Sequence, residues 1–206
     1  MKSWQPTPPP FAYFKREVFQ RVGEVGEFIY QIGELPALRE HSSKVPMKKV
    51  TSEKYKAKFE YLKNCLRRYR ELTGAGRGIT AVQVGIPEQF SVIYHPKGSF
   101  IIINPIIIIK SENKLLYPEI CMSANPLITP IIRSAWIEFT YYDEQGKAQK
   151  WDKKDTNEED RMMNRVFQHE ISHMEGIINI DLCHPRDLIF ESDPTYYATA
   201  KFTEAK

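Results

Sequence analysis

Apolar residues recur along this chain with two different periods. Between Ser52 and Thr73, the residues Tyr55, Phe59, Leu62, Leu66 and Tyr69 follow one another in steps of four and three. That spacing places them on one buried face of an amphipathic helix, and Gly74, Gly76 and Gly78 close the segment. A looser pattern of the same kind, Phe14, Val18, Val22, Val25 and Ile29, predicts partial helix within residues 11–32, weakened by Gly23 and Gly26. Pro36 and Pro46 then bracket an irregular segment. Further on the composition turns β-branched and aromatic. Phe90–Tyr94, Phe100–Ile109 and Ala135–Tyr142 read as strands, and Asp143-Glu144-Gln145-Gly146 as a hairpin turn before Gln149–Trp151. A last helix is predicted from Thr156, which with Glu159 has the spacing of a capping box, through Met162, Val166, Ile171 and Met174 to Gly176. Helix, strands and helix with hairpin-length connections predict an α+β domain with antiparallel sheets.

Composition narrows the class of protein. A chain of 206 residues, 42% hydrophobic and 27% charged, suits one folded domain with decorated ends. The longest apolar stretch, Phe100–Ile109, is broken by Asn104 and Pro105 and is half the roughly 20 residues of a membrane span, so no membrane association is expected. Pro6, Pro8, Pro9 and Pro10 stand where a secretory signal needs its apolar run. Cys65, Cys121 and Cys183 cannot all pair, and a reducing cytoplasm is the expected location. Cys65 and Cys183 read as small core residues. A net charge of +3 is too balanced to argue for nucleic acid or an anionic membrane. Function must therefore come from local chemistry.

The sharpest local signal is His169-Glu170-Ile171-Ser172-His173. Residues four apart share a helix face, so both imidazoles can reach one metal ion while Glu170 stands beside its open position. His41, His95 and His184 have no such spacing and read as ordinary polar residues. A catalytic site of this kind needs a third protein ligand, and three sources compete. Six residues after His173, where some zinc proteases carry a further His, stands Asn179, a poor substitute. Glu191 is the nearest downstream carboxylate, which would make the chain a metallopeptidase. Upstream, Cys121 lies in the strand-like segment Glu119-Ile120-Cys121-Met122-Ser123, as ligand or as filler.

Three segments in order resemble the peptide deformylase family: Gly76-Arg77-Gly78-Ile79-Thr80-Ala81-Val82-Gln83-Val84-Gly85, then Glu119–Ser123, then Gln168–His173. Phe28–Glu40 also looks like that family's opening strand and turn, and the resemblance covers about residues 28–183. It implies a catalytic domain over 28–183, an N-terminal extension of 1–27 and a C-terminal tail of 184–206, with antiparallel sheets around a central metal-bearing helix. It also implies one divalent ion on Cys121, His169 and His173. Fe(II) is the ion the resemblance favours, with Zn(II), Co(II) or Ni(II) suited to the same donors. Glu170 would be the base, and Gln83 with the backbone N–H of Met122 would stabilise the oxyanion as an N-formyl peptide loses formate. The substrate would lie against Gly76, Arg77, Gly78, Ile120, Arg165 and Val166. Glu119 and Arg133 would pair and hold the cysteine segment.

The chain departs from the family around the substrate. Ile120 replaces a glycine, Ser172 an aspartate, Arg77 an apolar residue, and Arg165 falls on the face of the first side-chain pocket. Two arginines near an apolar pocket predict altered specificity, for a polar or acidic first residue or with weak use of formyl-methionine, unless both snorkel outward. A binding protein without turnover is the non-catalytic alternative. Lys54, Lys56, Lys58, Lys63, Arg67, Arg68 and Arg70 crowd one helix. Because deformylases act on nascent chains, transient ribosome contact is one reading of that face and a solvated surface the preferred one. No nucleic-acid motif accompanies it.

Overall fold

The computed structural model describes residues 12–190 and 200–205, so Pro6, Pro8, Pro9, Pro10 and Glu191 lie outside the described residues. Among the described residues three α-helices, α1 (Ala12–Gly26), α2 (Glu53–Thr73) and α3 (Glu158–Met174), accompany nine strands. β1 (Gly78–Thr80), β2 (Phe90–Ile93), β3 (Phe100–Lys110), β6 (Ile137–Tyr142) and β7 (Ala148–Trp151) form an antiparallel sheet in that order. β8 (Ile189–Phe190), β5 (Leu127–Ser134), β4 (Lys114–Ile120) and β9 (Thr203–Glu204) form a second antiparallel sheet, in that order.

Strand alternation explains why the first sheet lies between two helices. Phe90, Val92, Ile101 and Ile103 point to one side, where they meet Phe59, Leu62, Leu66 and Tyr69 of α2. Ile93, Ile102, Ile137 and Phe139 point to the other, where they meet Met163, Val166, Phe167 and Ile171 of α3. Successive strand residues face opposite sides, so a strand buried on both faces reads as a continuous apolar run. Each large side chain so buried contributes about 1.5–3 kcal/mol of hydrophobic stabilisation. α2 ends where Gly74 enters the left-handed region at φ 69° and its N–H bonds the Arg70 carbonyl at 2.8 Å.

Some sequence expectations need correction. The cap of α3 is Asn157, whose side chain accepts from the Asp160 N–H at 2.9 Å, and not Thr156; Glu159 reaches across to Arg77 instead. Phe28–Glu40 contains no strand: Tyr30 and Ile32 donate to the carbonyls of Gln83 and Ser123, and Pro36–Arg39 is a single 3-10 turn. β4 and β5, beyond the strands read from the sequence, form the longest pairing of the second sheet. Cys65 is buried, but Cys183 is half-exposed and not a core residue; all three cysteines are free. Among the described residues no helix is long and apolar enough to cross a membrane. Most cations of α2 are paired: Lys56 with Glu53, Lys58 with Glu88, Lys63 with Glu60 and Glu144, Arg67 with Glu71 and Arg68 with Glu27.

Candidate metal centre

α3 carries His169 and His173 one turn apart, and Cys121 follows directly on β4. The three ligand atoms lie within 4.8 Å of one another. Cys121 Sγ is 3.2 Å from His173 Nε2, which is 3.3 Å from His169 Nε2. Three donors pointing at one small volume, two of nitrogen and one of sulfur, suit a tetrahedral divalent ion with a fourth position open. Cys121 and His173 are buried and His169 is half-buried.

The orientation of His169 is fixed from behind. Its Nδ1 lies 2.9 Å from Glu119 Oε2, an arrangement in which Nδ1–H donates and Nε2 is left to coordinate. Burial alone would lower the His169 pKa, but the neighbouring Cys121 sulfur and the Glu119 carboxylate outweigh it and raise it to about 10. The spot between sulfur and carboxylate therefore favours a positive charge. His173 goes the other way, held well below the ordinary imidazole value by burial and by the adjacent His169 and Arg133. Arg133 grips Glu119 through Nε at 2.7 Å and Nη2 at 3.1 Å, and through Nη1 bonds Ser172 Oγ at 3.0 Å and the Gln168 carbonyl at 3.2 Å. With side chains only 7% and 5% exposed, this is a buried bridge rather than a surface ion pair. Burial by itself raises the Glu119 pKa; Arg133, His169 and Arg165 outweigh it and keep the carboxyl well below its usual range.

Glu170 is buried beside the triad and accepts from Thr80 Oγ1 at 2.6 Å; Thr80 in turn meets Ser91 Oγ at 2.7 Å. Burial dominates its environment and raises its pKa, so the carboxyl holds a proton more readily than in water. Room for it exists only because residue 78 is glycine: a Cβ there would lie 2.4 Å from Glu170 Oε1. Gly76, at φ +98°, is equally constrained, since a Cβ would meet Met122 Cε and Tyr69 at 2.8 Å. Thr80 was not singled out by the sequence, although it stands two residues after Gly78 and so on the same face of β1.

Gln83 is 1% exposed. Its Oε1 accepts from the Thr80 N–H at 2.8 Å, which turns Nε2 toward Ser123 Oγ at 3.1 Å and Cys121 Sγ at 3.7 Å. The Met122 carbonyl accepts from Gln31 Nε2 at 3.0 Å and Asn125 Nδ2 at 2.9 Å, which anchors the turn after the cysteine. A cavity of about 360 Å³ opens over these groups. Gly76, Arg77, Gly78, Gln83, Ile120 and Met122 border it from one side, and Arg165, Val166, His169 and Glu170 from α3.

Arg77 and Arg165 both border the cavity and are held by partners within the protein. Arg165 is 5% exposed, and its guanidinium is taken up by the carbonyls of Leu115, Tyr117 and Ile131 and by Glu119. Burial outweighs the attraction of Glu119 and lowers its pKa to about 10. Arg77 lies at the rim, clamped to both oxygens of Glu159 at 2.8 and 3.0 Å. Asn179 is buried and donates to Thr129 Oγ1 at 2.7 Å, away from the triad. His41 lies against the Ser42 carbonyl, and His95 and His184 accept backbone N–H groups two residues on, all local turn contacts.

A buried cysteine and two histidines one turn apart, with a carboxylate beside them under an open cavity, define a candidate metal-dependent hydrolase site. The chain belongs to the polypeptide deformylase family, whose sequence pattern matches residues 28–188. It is 34% identical over 111 residues to a peptide deformylase of Brucella suis, covering 52% of this chain and 60% of that one. It is 32% identical over 153 residues to a peptide deformylase of Desulfitobacterium hafniense, covering 74% and 93%. The crystal structure of the peptide deformylase from Thermotoga maritima superposes with a TM-score of 0.66 at 29% identity, over 76% of this chain and 97% of that one.

Proposed function

We propose that this protein removes the N-formyl group from the N-terminus of peptides, nascent chains among them, and releases formate. Cys121, His169 and His173 would hold the divalent ion, Fe(II) by family likeness, with Zn(II), Co(II) and Ni(II) compatible with the same donors. When bound, such an ion polarises a carbonyl and lowers the pKa of a coordinated water toward neutrality. Glu170 takes the proton of the attacking water and passes it to the departing amine. Its burial suits a carboxyl that must hold a proton between those two events. Thr80 fixes the carboxyl by donating to Oε2. The Gln83 amide donates to the formyl oxygen as charge develops there, assisted by the Met122 N–H; a donor of that kind is worth about 10²- to 10³-fold in rate. Glu119, Arg133 and Arg165 act behind these groups by holding His169 and β4. A cytoplasmic location follows from this reading and the free cysteines.

The substrate's first side chain would rest against Val166, Ile120, Met162 and the methylene stem of Arg165. Because the Arg165 guanidinium is taken up by three carbonyls and Glu119, its charge is not offered to the first side chain of the substrate. Formyl-methionyl peptides should therefore be turned over with a kcat/KM at least equal to that of formyl-glutamyl peptides, and a clear preference for formyl-glutamate would contradict this. The paired cations of α2 favour a solvated face over ribosome docking.

The observation that carries the proposal is the convergence of Cys121, His169 and His173 beside buried Glu170, with His169 and Glu170 lining an open cavity. Formate release from formyl-Met-Ala-Ala tests it. Wild type should release formate, and Glu170→Gln should lower kcat about 10²- to 10⁴-fold while metal content is retained. Absence of formate from metal-loaded wild type would overturn the proposal.

A further inference from the structure

The last described strand lies outside the family-matched residues 28–188 and yet pairs with β4, whose Tyr117 is a residue of the cleft wall. Thr203 and Glu204 of β9 pair with Leu116 and Leu115 of β4. Continuing the register by one residue sets Phe202 on Tyr117, and their rings stack with centroids 4.4 Å apart and planes 29° from parallel. Arg161, from the first turn of α3, holds its guanidinium 5.6 Å from the Phe202 ring centre.

Tyr117 is a partition. On one side it borders the 360 Å³ cavity over the candidate metal ligands. On the other it borders a second cavity of about 350 Å³, whose lining also includes Arg77, Glu159, Arg161, Met162 and Phe202. Arg77 and Met162 are shared by both chambers. A half-buried tyrosine between two spaces can turn into either unless something packs on its ring. The stack with Phe202 supplies that packing, and a stacked pair is worth about 0.5–1.5 kcal/mol beyond its buried area.

Resting on the deformylase reading, we infer that Phe202 is a positioning residue of the substrate cleft: it holds Tyr117 as the wall against which the first residues of the peptide lie. It touches neither the metal ligands nor Glu170, so it acts on binding rather than on chemistry. Its loss lets Tyr117 turn into the second chamber and leaves the peptide a looser groove.

The test compares full-length wild type, Phe202→Ala and Phe202→Tyr, with Glu204→Ala as a neighbouring surface control. KM and kcat are measured on formyl-Met-Ala-Ala, and the affinity for unformylated Met-Ala-Ala by calorimetry. Phe202→Ala should raise both KM and the peptide Kd at least about threefold and up to about tenfold, with kcat and metal content within about twofold. Phe202→Tyr should restore both constants, and Glu204→Ala should leave them unchanged. A smaller rise in Phe202→Ala would overturn the inference. So would a joint fall of kcat, metal content and Tm that Phe202→Tyr does not restore, because that marks a merely structural role. Should wild type release no formate, the deformylase reading fails by itself, and the Met-Ala-Ala affinities still decide the role of Phe202. Wild type that binds no Met-Ala-Ala would overturn it as well.

Discussion

At the scale of single residues, the most exacting position in the site is Gly78. Glu170 fills the space that a side chain at 78 would occupy, with the Cγ, Cδ and Oε1 atoms all within 2.8 Å of where a Cβ would sit. Gly78→Ala should therefore displace the carboxyl from Thr80 and lower kcat about 10²-fold or more while the metal ligands keep their ion. Steady-state kinetics and metal analysis on one preparation check this, and a variant with full kcat would show that the carboxyl position is not decisive. The two histidines and the glutamate were legible because helical spacing alone places them. Cys121 was not legible by spacing, since the chain that brings it to α3 crosses 48 positions; it came from likeness to a family. The destination of the Arg165 guanidinium was hidden for a related reason. Its partners are backbone carbonyls of β4 and β5, and no side-chain pattern announces a carbonyl acceptor.

At the scale of elements, the start of α3 sets the angle at which its last turns meet Cys121. Asn157 and Thr156 both have cap chemistry, and sequence pattern favoured Thr156 because Glu159 follows it. Glu159 is instead held by Arg77 at the rim of the cleft, a long-range contact that local pattern cannot contain. Asn157→Ala should cost about 1 kcal/mol of stability and Thr156→Ala less than about 0.5 kcal/mol, measured by denaturant unfolding. Equal costs would contradict the assignment of the cap. β4 and β5 were hard to read for another reason. Each contains a proline, normally a sign against a strand interior, but Pro118 and Pro130 stand opposite each other, which confines the missing donors to one rung. β2 and β3 were legible because burial on both faces leaves them largely apolar, as in Phe100–Ile103, whereas β1, three residues within the glycine-rich segment, was not.

For the whole molecule, the candidate metal centre joins the two halves of the fold. Cys121 belongs to the end of the second sheet, while His169 and His173 belong to the helix packed on the first. An ion held by all three stabilises the folded chain in proportion to its binding, about 2.7 kcal/mol when free metal is at a hundred times its Kd. For a domain of this size that corresponds to a Tm shift of roughly 5–10 °C. Removing the ion with a chelator should lower Tm by that amount in wild type and by much less in Cys121→Ser. The α+β class and the sequence of helix, central strands and helix followed from periodicity, while β1, β4, β5, β8 and β9 did not. The meeting of the two sheets at one sulfur and two nitrogens is a tertiary fact that periodicity does not contain.

The most direct measurement is an anaerobic Co(II) titration of the metal-free protein, followed by the absorption of the sulfur-to-cobalt charge-transfer band. Wild type should saturate at one ion per chain with that band present and tetrahedral d–d absorption of high intensity. Cys121→Ser should lose the band and bind far more weakly. No saturable binding by wild type, or the same band and affinity after Cys121→Ser, would contradict a metal centre built from Cys121, His169 and His173.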